Sequence, residues 1–469
     1  MLRNFAIVVG VWTALGARAA LADASQDCAS FRGDAAIAAC DGAIREFPED
    51  AQAFFRRGGA YFGKGDSERA IADYTKAIEI DESFAKAYAA RGVAFKAKGE
   101  VDRAIADYTR AIELVPDYAY AYAHRANAYE HKPDLDRAVA DYTKALEIDP
   151  KYAFALANRG VVYSDLRQFD LALADYDKAI ELVPNDAPLH YNRGNVHMDR
   201  REVDLAIADF TTALELDPKH PFAHNNRANA YQAKGDFDLA LADYDKSIEI
   251  NPRGAFAYNG RGNVYKAKGD LDRAIVAYGE AIAIDPRYAS ALHNRAVAYG
   301  EKSKFDDAIA DETAAIAINP KFAEAYSMRG NDFAGKSDYD RASADFSKAI
   351  ELDPNRPGPY NARCWVNVLR DRDLKQALAD CDAAVRLAPS KADGLYSRGF
   401  VKLRLGQLDA ATEDFDAALK CDPRQADALY GRGLAKRRQG DAAGAQADFA
   451  AATANRAGVA GYYTRHGIE

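Results

Sequence analysis

The chain has 469 residues, enough for several domains, and a formal net charge of -9, which excludes a general electrostatic pull toward nucleic acid or an anionic membrane. Alanine dominates, prolines recur at even spacing and no β-branched run is flanked by hairpin turns, so the β-rich classes are excluded as well.

The first element is a leader. Arg3 supplies a positive start, Phe5 to Leu15 is uncharged and mostly apolar, and Ala17-Arg18-Ala19 and Ala20-Leu21-Ala22 are small-x-small cleavage sites. Residues 1–22 are expected to be a secretory signal peptide cut after Ala22 or Ala19. The apolar run is short for a membrane span and no later segment approaches it, so no integral membrane segment is expected after cleavage. Ser25-Gln26-Asp27 before Cys28 is no lipoprotein box, and a periplasmic or secreted location is expected. Export permits disulfides among Cys28, Cys40, Cys364, Cys381 and Cys421, with connectivity open.

After the leader, prolines stand 34 residues apart at Pro116, Pro150, Pro184, Pro218, Pro252, Pro286, Pro320 and Pro354. Pro48 shares the register with Glu82 in a proline's place; one extra residue moves the next to Pro389, and Pro423 resumes. A period of this length marks a stacked-repeat architecture. Counting from 31 residues before each proline gives twelve full units, repeats 1 to 12, beginning at Ala51, Ala85, Ala119, Ala153, Ala187, Pro221, Ala255, Ala289, Ala323, Pro357, Ala392 and Ala426. The expected organisation is a partial repeat over 23–50, a regular array of nine repeats over 51–356, an irregular 35-residue repeat over 357–391 and two further repeats over 392–459. Residues 460–469 would cap the open end of the array, which such arrays need for solubility.

Columns down the repeats specify two packed helices. Column 8 is small, from Gly58 to Gly433; column 20 is alanine from Ala70 to Ala445; column 27 is alanine except Ser247. Small residues let helix backbones approach closely. Column 24 carries rings such as Tyr74, Tyr176, Phe210 and Phe346 beside those small contacts, and column 11 is usually aromatic. A turn such as Lys64-Gly65-Asp66 separates the helices, and the proline follows the second helix, whose ladder it cannot continue.

These columns resemble the tetratricopeptide repeat family over essentially the whole mature chain. The resemblance implies an all-α fold: an α-solenoid, a right-handed superhelix of antiparallel helix pairs whose first helices line a concave groove. It implies a non-enzymatic scaffold that binds extended peptide or protein segments.

Column 7 is arginine in every full repeat, including Arg159, Arg193 and Arg227, and column 23 is aspartate except Ala277, including Asp175, Asp209 and Asp243. The two charges come together, so they read as a ladder of structural pairs rather than a phosphate site. Near Ala277, either Arg261 or Arg295 should lack its partner, and Glu312, in an aromatic column, could compensate.

Function should lie where the fold dictates little. The columns that face the groove in the family hold Asn127, Asn158, Asn192, Asn195, Asn225, Asn226, Asn229, Asn259, Asn263, Asn294 and Asn331. Asparagine is a poor helix former, and its amide both donates and accepts. Such a strip can hold a peptide backbone without demanding one side-chain sequence, and it resembles the asparagine ladder of O-GlcNAc transferase; the bland alternative is that these amides cap gaps between helices. Tyr120, Phe154, Phe222 and Phe256 could add pockets. A glycan-binding or polysaccharide-assembly scaffold and a structural homo-oligomer are the rival readings.

His190, His197, His220 and His224 cluster in sequence, yet three of them sit in packing columns and no Cys or carboxylate motif completes a zinc site. No metal or cofactor is expected. No phosphate loop or nucleophile–base motif stands out either. Cys28 with Cys40, and Cys364 with Cys381, would each join the two helices of one unit, and two structural disulfides are expected, with buried thiols as the alternative.

Overall fold

The computed structural model describes residues 33–469, and among these it forms 26 helices and no strand. The expected leader and Cys28, and with it the expected pairing to Cys40, lie outside the described residues.

Each full repeat folds as a helical hairpin, for example Ala187–Asp199 followed by Val203–Leu216 in repeat 5. Aspartates before several helices satisfy otherwise orphaned N–H groups: Asp50 accepts from the amides of Gln52 and Ala53 at 2.9 and 3.2 Å, and Asp66 from Arg69 at 3.0 Å. Between the helices, column 15 sits in left-handed backbone, with φ of 83° at Gly65 and 90° at Gly235. Glycine adopts this without strain. Arg167 and Arg201 occupy the same position at 59° and 61°.

The packing follows the columns. Column 20 alanines such as Ala70, Ala104 and Ala206 are fully buried, as are Ala77 and Ala111 of column 27. The column 24 ring lies directly over the column 8 glycine. A Cβ added at Gly194 would stand 2.8 Å from Phe210 Cε1, and one at Gly262 only 2.5 Å from Tyr278 Cε1. Burying each ring contributes roughly 1.5–3 kcal/mol, and the glycine is what admits it. Repeat 10 meets the same geometry differently: Cys364 and Cys381 occupy those two columns as a disulfide with Cα atoms 5.7 Å apart. Cys421 is a free, exposed thiol.

The chain divides into two compact units, Met1–Asp236 and Phe237–Glu469, with the division inside repeat 6. In the first unit the core is the row Tyr74, Tyr108, Tyr142, Tyr176 and Phe210, each at 4% exposure or less. In the second, the row Tyr278, Phe346 and Phe415 leads into a larger cluster that includes Phe400, Tyr430, Tyr463 and Ile468. The closing segment reaches beyond the open end where a cap was expected: Tyr462 accepts a hydrogen bond from Trp365, 97 residues earlier in repeat 10.

Candidate peptide-binding face

The arginine column is tied down within its own repeat at most positions. Arg159 donates through Nε and Nη2 to the two carboxylate oxygens of Asp175 at 2.7 and 2.8 Å, and Arg193 does the same to Asp209 at 2.9 and 2.7 Å. The remaining nitrogen crosses to column 25 of the preceding repeat: Arg159 to Thr143 at 3.0 Å, Arg193 to Asp177 at 2.6 Å, Arg227 to Thr211 at 3.1 Å. Asp243 is buried at 6% exposure. Planar bidentate pairing fixes the angle between helices, and the third bond fixes one repeat against the next.

Repeat 7 is the gap in this ladder. With Ala277 in column 23, Arg261 turns to Glu280 at 2.6 Å and keeps Asp245 at 2.8 Å, while its Nε is buried without a partner. Pairing runs within the repeat, so Arg261 is the affected residue and Arg295 keeps Asp311 at 2.7 and 2.8 Å. Glu280, not Glu312, compensates. Glu312 is fully buried and accepts from or shares a proton with His293 Nδ1 at 2.8 Å.

A second ladder links neighbouring repeats. Column 14 bases reach the column 18 acid of the preceding repeat, thirty residues back: Lys132 to Asp102 at 2.5 Å, Lys234 to Asp204 at 2.8 Å, Lys268 to Asp238 at 2.6 Å. Exposed pairs of this kind contribute little individually. Their signal was a second column pair offset by 30 residues, visible only once neighbouring repeats are read together.

With these charges used by the fold, the asparagines can be placed. Asn226 Nδ2 donates to Asn195 Oδ1 at 2.8 Å and to Tyr191 Oη at 3.0 Å, and Asn225 donates to Asn226 Oδ1 at 3.3 Å. Asn294 donates to Asn259 Oδ1 at 3.0 Å. The Asn226 and Asn294 bonds cross from one first helix to the next, so here the amides do bridge gaps between repeats. Others are held locally: Asn158 donates to the Phe154 carbonyl at 2.7 Å, and Asn263 accepts from Tyr278 Oη at 2.8 Å. Asn127 is buried, accepts from Lys96 and donates to Glu130 at 3.3 Å. Asn192 is half-buried, and Asn229 and Asn331 are exposed. An amide can make up to four hydrogen bonds, so the bridging ones retain capacity and are already oriented.

The column 2 aromatics split. Phe256 is 64% exposed. Tyr120 and Phe154 instead sandwich His124, with ring centroids 4.0 and 5.0 Å from it. Burial pushes the His124 pKa down to about 3. The clustered histidines each take a separate partner: His190 and His224 bond the carbonyls of Pro184 and Pro218 at 3.0 and 3.3 Å, His197 bonds Glu202 at 2.7 Å, and His220 accepts from the Ala223 amide at 3.1 Å. Tyr258 bonds Pro252 in the same manner at 3.3 Å, so His190 and His224 fill an aromatic column. Near Glu312, burial and then the Glu312 charge push Asp332 up to about 7.

Models of the TPR repeat match residues 58–99, 92–132 and 262–303; models of the tetratricopeptide repeat match 119–152, 153–186, 187–220, 221–253, 243–276, 293–357 and 396–460. No curated protein matches the chain. Among solved structures, the APC/C hetero-tetramer Cut9-Hcn1 is 15% identical, covering 92% of each chain with a TM-score of 0.47. YrrB, described as a TPR protein with an unusual peptide-binding site, is 30% identical over 40% of this chain and 96% of its own, with a TM-score of 0.36. A tetratricopeptide repeat protein from Parabacteroides merdae is 20% identical over 53% and 98%, with a TM-score of 0.42.

Proposed function

The chain belongs to the tetratricopeptide repeat family, whose repeats serve as protein-interaction scaffolds rather than enzymes, and from that premise we propose that it holds an extended protein segment along the asparagine-bearing first helices. The observation that carries this reading is the bridging of amides between neighbouring repeats, Asn226 to Asn195 and Asn294 to Asn259. Bridged amides are fixed before any ligand arrives, so less side-chain entropy is lost on binding. Their spare donors and acceptors match a peptide backbone, which offers one of each per residue. We propose further that the chain is exported and acts in the periplasm or outside the cell, on the strength of the Arg3 to Ala22 leader.

The test is a peptide-library selection on the purified mature chain, wild type against N192A/N195A/N226A/N229A, after circular dichroism shows equal helix content. Peptides enriched on the wild type and lost on the variant support the reading. Identical enrichment overturns the amide strip as the site, and binding on a glycan array with no peptide enriched favours the polysaccharide reading instead.

A further inference from the structure

In repeats 10 to 12 the first helices change chemistry in several columns together. Column 9, which holds Asn195, Asn229, Asn263 and Asn331 earlier, becomes Trp365, Phe400 and Leu434. Column 5 supplies Tyr396 and Tyr430, and column 13 supplies Arg404 and Arg438.

The residues after the last repeat lie against that altered strip. The short helix Val459–Arg465 buries Val459 and Tyr463, and Ile468 follows, each at 1% exposure or less. The Tyr463 ring stacks on Phe400 and Tyr430 with centroids 4.7 and 4.9 Å away, and meets Trp365 edge-on at 6.1 Å. Polar contacts reach both the main chain and the side chains of the segment. Arg404 donates to the carbonyls of His466 and Gly467, both at 3.0 Å, and Arg438 donates to the main-chain oxygen of Glu469 at 2.5 Å. Asp427 accepts from Tyr463 Oη and from Arg456, each at 2.5 Å. Apolar anchors on one face of a short helix, followed by carbonyls gripped by fixed donors, are how a groove holds a peptide.

A cap that merely shields the open end needs only the last repeat. This segment reaches Trp365 in repeat 10, and the His466 ring comes within 6.5 Å of Tyr339 in repeat 9. We propose that the first-helix face of repeats 10 to 12 is a second peptide site, occupied in cis by residues 456–469. A partner segment of the same chemistry, a short amphipathic helix with an aromatic anchor and a main-chain tail, enters when the chain's own segment leaves. The tethered segment has an effective concentration on the order of millimolar, so it gates access without covalent change. The asparagine amides play no part in this site, and its test reads none of them.

The test uses the full chain. A fluorescent peptide of residues 456–469 is titrated against the wild type and against V459A/Y463A/I468A, whose substitutions lie only in the segment. Binding to the variant is expected to be about tenfold tighter or more, and the gain is expected to vanish when Arg404→Ala and Arg438→Ala are added. Equal binding to wild type and variant, with equal helical circular dichroism, overturns the proposal. Hydrogen exchange on the wild type decides the case in which the variant does not fold. Residues 457–469 are expected to open while repeats 10 to 12 stay protected. Exchange only together with those repeats makes the segment a fixed cap and overturns the proposal equally.

Discussion

Repeats 5 and 6 and repeats 10 to 12 share one scaffold and carry opposite surfaces. Arg193 grips Asp209 as Arg398 grips Asp414, bidentate at 2.7 to 2.9 Å. Phe210 covers Gly194 as Phe415 covers Gly399. Yet one first-helix strip is amide, with Asn195 and Asn226 bonded to each other, and the other is aromatic, with Trp365 and Phe400 under the closing segment. The scaffold columns set the hairpin and its stacking; columns 5, 6, 9 and 13 are left to choose what lies on it.

The largest expected effect breaks the shared scaffold. Asp175→Ala strands a guanidinium at the helix interface and is expected to cost about 3–5 kcal/mol, read as an earlier, broader helical melt in denaturant; a loss near zero would place the ladder with exposed pairs. Next, Tyr463→Ala removes a fully buried ring from the aromatic region and is expected to cost about 3 kcal/mol. Protection in exchange should fall over residues 456–469 while repeats 5 and 6 keep theirs.

The third prediction is a divergence with pH. Asp332 has its pKa raised in the fold, so the folded state binds more protons than the unfolded chain between about pH 4 and 7. Its stabilisation is present on the acid side and lost as pH rises through that window. His124 is the reverse: its pKa is lowered to about 3 in the fold from 6.5, so stability is lost as pH falls below about 6.5. Exchange around repeats 8 and 9 should therefore quicken from pH 5 to 8 after correction for intrinsic rates, and around repeats 3 and 4 from pH 7 to 4. Asp332→Val and His124→Phe should each flatten their own trend, and a trend unmoved by its substitution assigns the titration elsewhere. The smallest effect is Asn226→Ala, expected to cost only about 1 kcal/mol of stability while weakening peptide binding in the selection. A larger stability loss with binding intact would make the amides purely structural.

Much of this was legible in the sequence because the fold repeats. Twelve copies reveal which columns are fixed, and the ring over Gly194, the Cys364–Cys381 bridge and the pairing of the arginine column with the aspartate column all follow from column identity. What was not legible depends on geometry between repeats. Lys234 to Asp204 joins residues thirty apart, and whether Arg261 or Arg295 lost its partner required knowing which helices touch. The amide columns allow either a ligand or the capping of gaps between helices, and only the geometry shows that Asn226 and Asn294 spend part of their capacity on neighbouring repeats. Position alone makes the closing segment an end cap; the change in column 9 from Asn331 to Trp365 is the signal that repeats 10 to 12 carry a different surface.

The central claim is that partners are held on the first helices, and site-specific photocrosslinking in cells tests it most directly. A benzophenone side chain is placed at exposed Asn229 on a first helix or at Leu205, 53% exposed on a second helix. A discrete crosslinked species formed from position 229 and not from 205 is the predicted result. Crosslinking from 205 alone would contradict the account and place the partner on the opposite face of the repeats.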